Sequence, residues 1–313
     1  MKKWSIYSIA ATLIALMLNK AEAQSIKLLK TTLLENYPSA SGIEFYKGKL
    51  YIMGDDATHL LVLNPDHQPI DSVSIFQYNG KRIHYTIKPD LESLTIGTYK
   101  RDCYLIATPS FSAENRNTIY AFPLENIRHY KTFVTSMPIS HLKHIGIQEP
   151  NLEGTAFVDK SVILSNRANF AQPENYLVQV PVKKRLLKKH NRWEKAAIVL
   201  PKTDSTIGIS GLEYWSENDI LLFTASTEAT SSATADGAIG QSYLGYFSNY
   251  SKQKNKASIT PDKLINLSQE LNIGNQKVEG ICVESRMGNI MILHFVTDND
   301  DGQSILYKAQ LTF

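Results

Sequence analysis

A short signature recurs five times along this chain of 313 residues: Ser41-Gly42-Ile43, Glu92-Ser93-Leu94, Glu153-Gly154-Thr155, Ser210-Gly211-Leu212 and Glu279-Gly280-Ile281. A small or acidic residue is followed by a small one, and an apolar run then opens. The first residues of successive copies lie 51, 61, 57 and 69 positions apart. That spacing suits units that each hold a small antiparallel sheet, and it is too long for the turns of a helical solenoid. The repeat therefore predicts an all-β chain folded as a single β-propeller. Propellers carry enzymes, binding modules and scaffolds alike, so function has to be argued from the site.

Each copy opens a strand, and a second, more apolar strand follows a tight turn: Leu50 to Met53, Cys103 to Ala107, Ser161 to Leu164, Ile220 to Thr224 and Ile290 to Phe295. Such Ile, Leu, Val and aromatic runs are what a strand covered on both faces requires. Third strands are expected at His59, Thr118, Tyr176, Ser242 and Ser304, and fourth strands at Pro69, Lys131, Lys195 and Lys263. The last copy has no fourth strand before Phe313, whereas Ile26 to Leu34 precedes the first copy without a sheet of its own. The N-terminal strand is expected to complete the last sheet and close the ring. The count gives five blades; six would need a degenerate blade between Ser210 and Glu279.

Residues 1–23 have another character. Lys2 and Lys3 precede an apolar stretch from Ile6 to Leu18, and Ala21-Glu22-Ala23 offers a cut before Gln24. This reads as a secretory signal peptide, leaving 24–313 as one propeller domain, periplasmic or secreted and expected to be monomeric. No later segment is apolar enough to span a bilayer. Removing Lys2, Lys3, Lys20 and Glu22 takes the formal charge from +3 to about +1, which gives the chain no general electrostatic claim on nucleic acid. The basic run Lys183-Lys184-Arg185, Lys188-Lys189-His190 and Arg192 reads as a solvated hairpin tip. Cys103 and Cys282 lie in separate repeats and read as two buried thiols, although an exported setting permits a disulfide.

In a blade the start of the innermost strand and the end of the second strand share one end of the sheet. One face of the ring should therefore gather the openers Ser41, Glu92, Glu153, Ser210 and Glu279 with Asp55-Asp56, Asn166-Arg167, Glu228 and Asp298. Three glutamates entering a narrow channel raise one another's pKa or demand a cation. Glu92, Glu153 and Glu279 are candidate ligands for Ca2+, which takes oxygen donors; Arg167 could pair with them instead. A third alternative is that the openers bond backbone N–H groups and lock blade to blade. Asp298-Asn299-Asp300-Asp301-Gly302 lacks the closing Glu of an EF-hand loop and reads as a polar turn. The Ser/Thr/Ala/Gly-rich stretch from Ser226 to Gln241 reads as a loop over the channel mouth. His294, inside an apolar strand, reads as a core residue. Nucleophile-elbow, metalloprotease, Walker and dinucleotide fingerprints do not occur.

The segments Ser41-Gly42-Ile43 with Leu50-Tyr51-Ile52-Met53-Gly54-Asp55-Asp56, and Leu152-Glu153-Gly154-Thr155-Ala156-Phe157 with Ile163-Leu164-Ser165-Asn166-Arg167, resemble exported bacterial propellers of the group that includes the esterase-like phytase and SdiA-regulated families. In that resemblance Glu153 and Glu279 match the acidic opener, and Asp55 and Asn166 the polar strand end. Ser41 and Ser210 depart from it. Two functions follow as expectations. The first is an envelope binding module that holds a small polar or anionic ligand, or an envelope protein, through Glu153, Asn166, Arg167 and Glu228. The second is a Ca2+-assisted hydrolase of an ester, lactone or phosphoester, with Asp55 or Asp298 as base and Arg167 orienting an anionic substrate.

Overall fold

The structure is a computed structural model and describes residues 25–99, 102–182, 193–229, 237–253, 255–299 and 301–313. Residues 1–23, read above as a signal peptide, the basic run 183–192 and residues 230–236 lie outside the described residues. Strand β1 (Ser25–Leu34) belongs to the last sheet. Blade 1 is β2 (Ala40–Tyr46), β3 (Lys49–Gly54), β4 (His59–Leu63) and β5 (Pro69–Ser74); blade 2 is β6 (Leu91–Tyr99), β7 (Asp102–Pro109), β8 (Thr118–Pro123) and β9 (Lys131–Val134). A short helix, α1 (Met137–His144), leads into blade 3: β10 (Leu152–Val158), β11 (Ser161–Asn166), β12 (Asn175–Pro181) and β13 (Glu194–Ile198). Blade 4 begins with β14 (Ile207–Trp215), β15 (Ile220–Glu228) and β16 (Ile239–Ser248). The chain then crosses to blade 3, where β17 (Ser258–Ile259) adds a parallel edge strand to β13, and returns with β18 (Lys263–Asn266). Blade 5 is β19 (Val278–Met287), β20 (Ile290–Thr297), β21 (Ser304–Thr312) and β1.

Five four-stranded antiparallel units thus form a five-bladed propeller, and β1 pairs with β21 from Ser25↔Thr312 to Leu34↔Ser304. The strand borrowed by blade 3 is absent from the expectation because a two-residue strand carries no periodicity. At the far end from the openers, Lys47 and Gly48 both take positive φ, which sets the two-residue turn that joins β2 to β3. Hydrophobic layers lie between blades: Met53 and Leu60 meet Leu94, Leu105 and Phe122, and Ile163 and Leu177 meet Ile209, Leu221 and Phe223. Burying each such side chain contributes about 1.5–3 kcal/mol.

The innermost strands β2, β6, β10, β14 and β19 pack each on the next, and β19 returns to β2. The second residue of the signature sits at these contacts. A Cβ on Gly211 would lie 2.5 Å from the carbonyl oxygen of Glu279, one on Gly154 2.5 Å from that of Ser210, and one on Gly280 2.6 Å from that of Ser41. The glycine lets the next blade's opener come this close. In blade 2 the position is Ser93, whose hydroxyl bonds Thr108 at 2.5 Å and Thr155 of blade 3 at 2.9 Å.

Both cysteines are free; Cys282 is buried, but Cys103 is half-buried rather than enclosed. His294 is fully buried and bonded through both ring nitrogens, as a core histidine should be. Strand β15 runs to Glu228, paired with Ile239, so the long loop is shorter than the composition suggests and Glu228 stands on a strand.

Candidate functional site

In all five blades the ladder between the first two strands slips at the opener: between Ala40 and Gly42, Leu91 and Ser93, Leu152 and Gly154, Ile209 and Leu212, and Val278 and Ile281. A bulge of this kind removes a residue from the ladder and re-aims its side chain. A second device fixes the ends of the second strands. The backbone N–H groups of Asp55, Ser110, Arg167 and Asp298 donate to the carbonyls of Ser39, Asp90, Asn151 and Lys277, each two residues before an opener. Opener and strand end are thereby held together at one mouth of the axial channel.

The mouth that results is buried and densely charged. Asp55 (7% exposed), Asp90 (2%), Glu153 (8%), Glu228 (5%), Glu279 (4%) and Asp298 (4%) gather there with Arg167 (5%). Oxygens of Asp55, Asp90 and Glu92 lie within 4.8 Å of one another. Lys88 sits on this trio, with Nζ 2.8 Å from Asp90 and in contact with Asp55. Arg116 reaches the other oxygen of Asp90 at 2.9 Å, and Arg82 pairs with Asp56 at 2.6 Å. Across the channel, Lys277 lies 3.2 Å from Glu279 and 3.7 Å from Glu228.

Arg167 is committed within the protein. Its guanidinium donates to Ser210 Oγ at 2.6 Å, Ser226 Oγ at 2.9 Å and Glu228 Oε2 at 2.9 Å, tying blade 3 to blade 4. The serine opener Ser210 is therefore an acceptor for this arginine. Asn166, fully buried, accepts from the Asn151 N–H at 2.8 Å, and Asn151 in turn donates to Glu153 Oε1 at 2.6 Å. Asn166 thus positions an opener through the loop.

Burial raises the pKa values here, and the ion pairs oppose it. Asp55 is pushed up to about 7 by desolvation, against the pull of Lys88 and with further push from Asp298, Asp56 and Asp90. Glu92 is held well above the usual carboxylate range by desolvation and by Asp90, Glu153, Asp55 and Glu279. Glu153 is also raised by burial, although Arg167 and Lys277 draw it down. Lys277 is raised despite its burial, because Glu279 and Glu228 favour its charged form.

The three glutamates expected as ligands interact electrostatically at this mouth with Asp55, Arg167 and Glu228, as Asp298 does with Asp55, but of the three only Glu92 belongs to the close oxygen trio; Glu153 and Glu279 do not. Sequence reasoning missed Lys88, Asp90 and Lys277. A signal existed: the residue two before each opener, Ser39, Asp90, Asn151, Gly208 or Lys277, is the one that accepts from or ion-pairs with the site in four of the five blades. As donors, Asp55, Asp90 and Glu92 suit a hard cation, but a lysine ammonium already occupies the position between two of them.

The class is a five-bladed propeller with a lysine- and arginine-filled acidic mouth. The chain belongs to the family of unknown function DUF6929, whose model matches residues 36–311. No curated protein matches it in sequence. Among solved structures it is similar to glutaminyl cyclase from Myxococcus xanthus, with 10% identity, TM-score 0.50, 92% of this chain and 97% of that one covered. It is also similar to an arabinanase from Bacillus subtilis, with 11% identity, TM-score 0.47, and 90% and 99% covered. At 10% identity the likeness to the cyclase shows the fold alone.

Proposed function

We propose that this protein is an exported envelope binding module, with 24–313 as its mature domain, and that the acidic mouth holds a small polar ligand through hydroxyl or ammonium groups. The observation that carries this reading is the trio Asp55, Asp90 and Glu92 with Lys88 seated on it. A cradle that already accepts one ammonium has the acceptors and the spacing for another donor group. Carboxylates outnumber cations at this mouth, and Arg167 is engaged by Ser210, Ser226 and Glu228, which favours a neutral or cationic ligand over an anionic one. The resemblance to the esterase-like phytase and SdiA-regulated group supports an exported setting and leaves the activity open.

The second reading, a Ca2+-assisted hydrolase, is favoured by the same trio, since its oxygens lie close enough to share one ion. It requires the flexible Lys88 side chain to leave. Metal analysis of purified protein, with thermal melts at varied calcium, separates the two readings. The binding-module reading expects no calcium-dependent stabilisation in wild type and its appearance in Lys88→Met, where the lysine no longer competes. Calcium bound stoichiometrically to wild type and lost in Glu92→Gln would overturn it in favour of the hydrolase.

A further inference from the structure

The opposite end of the channel holds a cavity of about 350 Å³ to which all five innermost strands contribute residues from their second halves. That size falls within the range of small-molecule sites. Its lining has a particular chemistry. Glu44 and Glu213 face each other's charge across it, and Phe45, Phe157, Tyr214 and Trp215 bring four aromatic rings. Glu44 is only 6% exposed. Each carboxylate takes a backbone N–H from the adjoining blade, Glu44 from Ile96 and Glu213 from Val283, and Glu44 takes a second from Phe45 at 2.9 Å. A carboxylate has about four acceptor positions, so both retain capacity for a further donor.

The contrast with the other mouth is decisive. There, lysines and arginines of the chain itself are seated among the acids. Here, among the described residues, no Lys, Arg or His lines the cavity. The one further rim carboxylate with a cationic partner, Glu284, is served from outside by His294 at 2.6 Å and Lys308 at 2.7 Å. A carboxylate pair with one member buried and the other half-buried, and no cation of its own, must hold protons or receive a positive charge from elsewhere. Aromatic faces add attraction for ammonium groups, and that attraction strengthens when the site is shielded from water.

We infer that this far mouth is a second ligand site, separate from the acidic mouth and specific for organic ammonium compounds, with Glu44 and Glu213 binding the cationic nitrogen and Phe45, Phe157, Tyr214 and Trp215 enclosing its alkyl substituents.

The test uses the mature protein with n-butylammonium chloride and tetramethylammonium chloride at pH 8, each against sodium chloride of equal ionic strength, read by calorimetry and thermal melts. At least one organic cation is expected to bind and raise the melting temperature beyond the sodium control. Binding should be about tenfold weaker in Glu213→Gln, as expected for losing one ion pair, and unchanged in Glu125→Gln, which removes an exposed carboxylate remote from both mouths. Should Glu213→Gln fail to fold, Phe157→Leu supplies the same comparison without altering charge. Absence of binding by both cations would overturn the inference and identify the carboxyls as a protonated pair. Binding insensitive to both Glu213→Gln and Phe157→Leu would place the cation elsewhere and overturn it equally.

Discussion

Replacing Gly211 with alanine tests whether the signature glycine exists to let neighbouring blades approach. The added Cβ would stand 2.5 Å from Glu279 O, 3.1 Å from Gly280 Cα and 3.2 Å from Ile281 N, all backbone atoms of blade 5. None of these can rotate away, so β14 and β19 must separate by roughly half an ångström or more to restore ordinary contact. Overpacking of this kind costs about 1–3 kcal/mol. The separation also strains the link in which Gly211 N–H donates to Thr224 Oγ1 at 2.9 Å while the Thr224 hydroxyl donates to Glu279 O. Loss of one such bond adds about 1 kcal/mol. The expected destabilisation is about 2–4 kcal/mol, or a fall in melting temperature of roughly 3–7 °C for a domain of this size. Equilibrium denaturant unfolding should show a lower midpoint with an unchanged slope. Gly48→Ala is the control, because its Cβ meets nothing within 4 Å and only the positive φ of 75° opposes it; it should cost about 1 kcal/mol. A Gly211→Ala protein no less stable than Gly48→Ala would refute the packing argument.

Other outcomes follow from the charges. Glu213, pushed up to about 8 by burial, keeps in the folded state a proton that the unfolded chain releases above about 4.5; its contribution is complete below that pH and is lost as pH rises toward 8. Melting temperature should therefore decline across this window in wild type and decline less in Glu213→Gln. Glu284 behaves oppositely: although burial opposes it, bonds from His294 and Lys308 hold it down at about 2, so its stabilisation is present above pH 4.5 and fades as pH falls toward 2. Acid titration monitored by circular dichroism should find Glu284→Gln less stable than wild type at pH 6 and nearly equal to it at pH 2. His294→Ala removes a fully buried ring that links His67 of blade 1 at 3.1 Å to Glu284 of blade 5, and should cost about 2–4 kcal/mol in denaturant unfolding.

The architecture was legible because the signature is itself the architectural contact. Gly154, Gly211 and Gly280 repeat because the same blade-to-blade approach repeats, and Ile26 to Leu34 could be assigned to the last sheet because Phe313 leaves that sheet one strand short. The site was half legible. Glu92, Glu153 and Glu279 stand where the openers place them, since a bulge aims each toward the channel. Lys88 and Lys277 escaped because a lysine before a strand looks like any solvated connection; what makes them part of the site is the burial supplied by other blades. Glu44 and Glu213 escaped for a related reason. Each alternates with apolar residues as a surface-facing strand position would, and only closure of the ring turns that face into the wall of a channel.

Ring closure also orders events in time. Strand β1 is made first, but its hydrogen-bonding partner β21 is made last, so the earliest segment must wait, unpaired, for nearly the whole chain to follow. Blades 1 to 4 can assemble meanwhile from neighbouring segments, whereas the fifth depends on the longest loop closure in the molecule. The same junction lets the chain be cut between β1 and β2 without parting the pieces, because nine registered residue pairs still fasten β1 to the sheet. A nick there would turn a ring that one linear chain closes on itself by hydrogen bonds into a two-piece clasp, with the released strand exchangeable for a peptide of the same sequence.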